Sequence, residues 1–193
     1  MSTNNPARTY VLLGISGSGK GVQAKRLLRA IPGSVNISTG DGLRRVARKQ
    51  NLLGRYIKRI LRRGDLAPYW SAAYLWLSDF FERLRGDEPL VFDGAPRRIA
   101  EARMMDDFMR DIGRELPIVL YLRISPRVAL KRLLARRRSD DILRAIRERF
   151  RFFEHSVRPV IRYYRTRRRL ITINGDQPIP AVWRDIRRTL KLR

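Results

Sequence analysis

Five short runs of apolar and β-branched residues punctuate the chain, at residues 9–13, 34–37, 90–92, 118–122 and 170–173. All five are short and mostly apolar on both faces, as strands covered on both sides of a sheet require. Between the runs the period changes. Ala24, Leu27, Leu28 and Ile31 stand at helical spacing and stop at Pro32-Gly33, which predicts one face of a helix ended by its breakers. Leu143, Ile146, Phe150, Phe153, Val157, Val160 and Tyr164 keep that spacing across residues 141–166, predicting one long helix kinked at Pro159. Residues 41–86 hold helical patterns but no strand pattern, broken at Gly54 and across Gly64-Asp65-Leu66-Ala67-Pro68. The alternation predicts an α/β chain: a five-stranded parallel sheet flanked by helices on both faces, with a helical insertion over its ligand-bearing edge. Tyr69, Trp70, Tyr74 and Trp76 also fall at helical spacing and are expected in the core.

Composition narrows the chemistry. A chain of 193 residues that is 44% hydrophobic suits one domain with a real core. It has no cysteine and a single histidine, His155, so disulfides and thiolate metal sites are excluded and imidazole-based sites lack their residues. His155 itself is expected on a helix surface. No apolar stretch approaches the roughly eighteen residues of a membrane span, and the opening residues have no apolar core, so a cytoplasmic protein is expected. The formal net charge is +25, and 37 of the 43 basic residues are arginine. Such a surface attracts polyanions, and the arginine clusters at residues 136–138 and 167–169 are the segments that would bind phosphate backbones.

The first apolar run ends in Gly14-Ile15-Ser16-Gly17-Ser18-Gly19-Lys20, directly before a helical pattern. A glycine-rich turn leaves successive N–H groups pointing at an anion, the helix start adds its positive dipole end, and Lys20 adds a mobile ammonium. This is the pattern of a phosphate cradle, and a nucleoside triphosphate is its expected ligand. Gly21 stands where such loops usually carry a hydroxyl for Mg²⁺, so metal is expected through waters, substrate phosphates and a carboxylate.

Four further segments follow in order: Ile37-Ser38-Thr39-Gly40-Asp41-Gly42-Leu43-Arg44, then Asp93-Gly94-Ala95-Pro96-Arg97, then residues 132–141, then Arg149. With the P-loop they resemble the adenylate kinase family across almost the whole chain. The resemblance implies one P-loop kinase domain over residues 1–193, with an insertion for the nucleoside monophosphate (NMP) at 38–67 and a reduced lid at 132–141. It implies transfer of the γ-phosphoryl group of ATP, with Mg²⁺ and without zinc, to an NMP, with AMP first. A CMP, UMP, GMP or broad-specificity kinase is the alternative. An arginine-rich nucleic-acid-associated protein keeping a kinase fold is the alternative of another class.

Carried over residue by residue, the resemblance gives Gly17, Ser18, Gly19, Lys20, Gly21, Val22, Arg132, Arg136 and Gln177 to ATP. It gives Thr39, Arg44, Leu66, Ala67, Gly94, Arg97 and Glu101 to the monophosphate. Lys20, Arg97, Arg132, Arg138 and Arg149 would act on the transferring group, whose spread charge suits several guanidinium forks. Asp140 and Asp141 would fix the lid and its arginines, and Asp93 would hold Mg²⁺ through water. Gly40, Gly42 and Gly64 are the expected hinges, and a monomer is expected.

Three departures from the family pattern matter. Val22 replaces a threonine and loses a hydroxyl contact to the triphosphate. A single residue separates Arg136 from Arg138, so the lid is nearly a turn and leakage of ATP to water is expected. Glu101 replaces the glutamine that reads adenine. An ionised carboxylate only accepts hydrogen bonds, which suits the two donors of guanine better than the N1 lone pair of adenine.

Overall fold

The computed structural model describes residues 8–65, 67–136, 138 and 141–192. The five expected strands form: β1 Thr9–Leu13, β2 Val35–Ser38, β3 Leu90–Asp93, β4 Ile118–Arg123 and β5 Leu170–Asn174. They make one sheet in the order β2-β3-β1-β4-β5, every neighbouring pair parallel. β1 lies centrally and is buried along its length, which is why it reads as continuous apolar sequence.

The pleat divides the core in two. Val11 and Leu13 of β1, Leu90 and Phe92 of β3, and Val119 of β4 face a layer built from α4 (Tyr69–Glu82), α5 (Ile99–Asp111) and α8 (Arg158–Thr166). Tyr10, Leu12, Val91, Leu120 and Leu122 face the other way, onto α1 (Lys20–Ala30) and α9 (Ile179–Leu190). Adjacent residues serve opposite layers, as a period of two requires.

Between β2 and β3 stand α2 (Thr39–Val46), α3 (Leu52–Arg63) and α4. α2 and α3 enclose a small cluster of their own around Leu43, Ile57 and Ala67. α3 ends at Gly64, whose φ of +79° closes the helix in the left-handed conformation. A Cβ there would lie 2.6 Å from the Ala145 carbonyl oxygen, so the end of α3 is pressed against the backbone of α7 (Leu143–Phe152).

Two expectations change on contact with the structure. The long helix is continuous, but a π-helical turn, Phe153–Val157, joins α7 to α8, with the Arg158 N–H bonded to the Phe153 carbonyl. The wider turn falls immediately before Pro159, which has no N–H and whose ring would strike the carbonyl of a regular turn. Of the four α4 aromatics expected in the core, only Trp76 is there, at 0% exposure, edge-to-face with Phe80, Phe92 and Phe108. Tyr69, Trp70 and Tyr74 are 48%, 46% and 65% exposed, because α4 buries its small residues Ser71, Ala72 and Ala73 instead. His155 is exposed, as expected.

The arginine clusters are also partly spent inside the fold. Arg169 forks onto Asp106, which is fully buried and also accepts from Tyr163 Oη at 2.8 Å. Arg167 lies over the Tyr163 ring at 3.7 Å, a cation–π contact.

Candidate active site

The C-terminal ends of β1, β2 and β3 converge on the P-loop. Gly17 and Gly19 adopt φ of +88° and +91°, open to glycine and strained for other residues. A Cβ at Gly17 would stand 2.7 Å from the Ala129 carbonyl oxygen of α6 (Pro126–Arg136), so the loop is also glycine for want of space. α1 begins beyond Gly19 with no acidic residue in its first turn, leaving its N–H groups to an anion. Lys20 bends back over this loop: Nζ donates to the Gly14 carbonyl at 2.7 Å and the Ile15 carbonyl at 3.0 Å. Burial draws its ammonium down to about 8; Asp93 opposes the shift, while Arg97 and Arg136 reinforce it.

Asp93, the last residue of β3, pairs in register with Leu12 of β1 and Ser38 of β2. Its Oδ2 lies 3.2 Å from where a Cβ would project at Gly21. The missing side chain thus leaves the carboxylate facing the start of α1 directly. Among the described residues no group of three or more His, Cys, Asp or Glu could hold a metal ion. A lone carboxylate beside a phosphate loop fits Mg²⁺, which keeps waters and takes substrate oxygens as ligands.

Beyond Asp93 lies a second anion-binding corner. Gly94, φ +94°, has space for no side chain: a Cβ would meet an Arg97 guanidinium nitrogen at 2.9 Å and Thr39 Oγ1 at 3.2 Å. Arg97 Nε donates to the Gly94 carbonyl at 2.5 Å, and the Thr39 hydroxyl is buried without a partner. Burial lowers the Arg97 pKa, partly offset by Glu101 and Asp93. Arg44 is held on α2 by Asp41 at 2.5 Å. That hydrogen bond holds the Asp41 carboxyl below its ordinary value, and Arg138 adds to the effect.

Next to this corner is a narrow pocket with Thr39, Leu43, Ala67, Tyr69, Arg98 and Glu101 in its wall. Glu101 is 1% exposed; Oε2 accepts the Arg97 N–H at 2.7 Å and Oε1 has no partner. Sequence reasoning missed Leu43, Tyr69 and Arg98. Leu43 was signalled by its place one helical turn after Thr39, whereas Tyr69 was assigned to the core and Arg98 carried no signal. A wider cleft of about 310 Å³ opens between β2, α2 and α4, lined by Asn36, Asp79 and Arg83 and reaching Thr39 and Asp41 at the edge of the second corner.

On the opposite flank, Asp141 gathers the arginines. Its carboxylate accepts Arg136 Nε and Nη2 at 2.8 Å each and Arg149 Nη1 at 2.8 Å, with the Asp141 side chain only 1% exposed. Burial would raise this carboxyl, but the hydrogen bonds from Arg136 and Arg149 hold it below the ordinary carboxylate range. Arg132 reaches the Gly175 and Gln177 carbonyls at 3.0 and 3.1 Å. The Gln177 side chain is itself engaged by Asn174 and Asp185, so its contribution is its backbone carbonyl. Leu66 and Asp140 lie outside the described residues.

A P-loop at the end of a central parallel strand, a second corner built from Thr39, Gly94 and Arg97, and arginines on the facing side define a nucleotide phosphotransferase. The profile of the adenylate kinase family matches residues 12–169. Named relatives are similar along most of their length. The adenylate kinase 1 of Nostoc sp. (strain PCC 7120) is 33% identical, over 93% of this chain and 97% of its own. The adenylate kinase 1 of Synechocystis sp. (strain PCC 6803) is 32% identical, over 96% and 98%. The adenylate kinase of Thermosipho africanus is 29% identical, over 91% and 96%. The chain belongs to the adenylate kinase family and is a nucleoside monophosphate kinase.

Proposed function

We propose that the protein transfers the γ-phosphoryl group of ATP to AMP, working as a monomer, with residues 38–67 carrying the acceptor and residues 132–141 serving as a reduced lid. The observation that carries this reading is the pair of anion-binding corners flanking one carboxylate, Lys20 on one side of Asp93 and Arg97 with Thr39 on the other. The P-loop N–H groups and Lys20 hold the triphosphate. Arg97 and Thr39 hold the acceptor phosphate, joined by Arg44 when it leaves Asp41. Arg132, Arg136, Arg138 and Arg149 surround the transferring group from the lid side, Arg136 and Arg149 being aimed by Asp141. Asp93 holds Mg²⁺ through water. The metal neutralises charge on the phosphate oxygens when bound.

No residue acts as a nucleophile, since phosphoryl transfer needs positioning and charge neutralisation. No helix among the described residues is long and apolar enough to cross a membrane, which accords with a substrate dissolved in water.

The test is product formation from Mg-ATP with AMP, GMP, CMP and UMP offered separately, against Lys20→Ala as background. ADP formed from AMP well above background is expected; no transfer to any acceptor overturns the reading. Nonspecific contact with polyanions is a second reading, favoured by α3, which bears five basic residues and no acid. Salt-dependent retention on immobilised polyanion, weakened when Arg62 and Arg63 become Ala, would support it.

A further inference from the structure

Among the described residues Glu101 is the one carboxyl in the acceptor pocket wall, and its two oxygens are treated unequally. Oε2 accepts the Arg97 N–H, as a third-position glutamate in a helix's first turn does when it reaches back over the helix start. Oε1 is buried without a partner, beside a pocket that has Leu43, Ala67 and Tyr69 in its wall. A buried carboxylate oxygen with nothing to accept from is expensive. The same oxygen bearing a proton is a donor, and the group then presents one donor and one acceptor side by side.

We propose that Glu101 reads the acceptor base as the un-ionised carboxylic acid, Oε1–H donating to N1 of adenine while Oε2 accepts from the exocyclic amine. This rests on the acceptor site proposed above. AMP binding is then coupled to uptake of one proton from solvent, returned when the nucleotide leaves. The ionised form meets the N1 lone pair with a second lone pair and rejects adenine, while it accepts from both donors of guanine. Acceptor selectivity therefore shifts with pH on a single residue.

The surroundings bear on which form is held. Burial raises the Glu101 pKa, against the backbone N–H groups and the charges of both Arg97 and Arg98 on its own loop. Across the helix interface, Tyr164 of α8 faces it with a buried, neutral hydroxyl that has no partner. From α2, Arg44 lies close enough to depress the Arg97 pKa, as Asp93 lies close enough to raise it, and Tyr69 of α4 shares the pocket wall. The positive start of α5 works toward ionisation, and burial, the larger influence, works against it.

The experiment compares wild type with Glu101→Gln from about pH 6 to about pH 9, measuring kcat and KM for AMP at saturating Mg-ATP. Glutamine keeps an acceptor for the Arg97 N–H and carries a permanent donor. Titration of Lys20 and of the AMP phosphate is common to both proteins and cancels in their ratio. The KM ratio of wild type to variant is expected to rise by up to about tenfold per pH unit once Glu101 is ionised, with the kcat ratio level. Calorimetry of AMP binding to wild type, in buffers of differing ionisation enthalpy, should give uptake of up to one proton, and this needs no variant. A KM ratio independent of pH, or binding without proton uptake at every pH, overturns the inference while leaving the kinase reading intact. Lower KM for GMP than for AMP throughout makes the ionised form the reader and also overturns it. Absence of transfer to AMP by both proteins overturns the inference together with the reading beneath it.

Discussion

Replacing Asp141 by asparagine tests whether the lid-side arginines are aimed by one buried carboxylate. Three N–H···O contacts of 2.8 Å converge on a side chain 1% exposed, one of them from Arg149, itself only 16% exposed. A hydrogen bond to a charged group contributes about 1.5–3 kcal/mol. Those to Arg136 count for less, because its side chain is 36% exposed and water replaces the lost partner. Asparagine keeps one accepting oxygen but turns an amide toward a guanidinium and leaves Arg149 largely buried without a counter-charge. The net loss should be about 3 kcal/mol. For a chain of this length that lowers Tm by roughly 6–12 °C, read by calorimetry. With the proposed aim of Arg136 and Arg149 at the transferring phosphoryl group lost, kcat should fall by about a hundredfold, while KM for AMP, assigned above to Thr39 and Arg97, should change by less than about threefold. A kcat within about threefold of wild type would refute the positioning argument even if stability fell as computed.

The depressed Lys20 pKa carries a pH signature. The free enzyme loses the ammonium as pH rises through about 8, so kcat/KM for Mg-ATP should bend downward there, with kcat bending at higher pH because bound phosphate restores the charge. Its folded pKa lies below the unfolded 10.5, so this group makes the fold more stable as pH climbs from about 8 toward 10.5; an activity profile level to about pH 9.5 would contradict the burial of the ammonium. The α4 aromatics separate cleanly: Trp76→Ala should cost about 3–5 kcal/mol in chemical denaturation, Tyr74→Ala no more than about 0.5. Equal costs would restore the expectation that all four are core.

The strands were legible because each is short and mostly apolar; the central ones, β1 and β3, are buried on both sides, and the edge strands β2 and β5 keep apolar residues at most positions though they are only partly buried. The P-loop and the Asp93-to-Arg97 turn were legible because phosphate binding restricts backbone geometry: Gly17 and Gly94 leave no space for a Cβ. The buried face of α4 was not legible. Its sequence is apolar nearly all round, so no polar stripe marks a solvent side, and small residues took the buried places. The π turn was hidden because periodicity does not distinguish one widened turn from a kink. The inward direction of Glu101 and the three-way grip of Asp141 depend on partners 4 to 8 residues away or on other elements, which only the assembled site brings together.

The contact between Gly64 and Ala145 bears on how such a machine moves. A joint that swings needs clearance, and Gly64, one of the three expected hinges, abuts another helix's backbone. The end of α3 therefore has no free space toward α7, and a side chain added at Gly64 would have to push the backbone of the helix that bears Arg149.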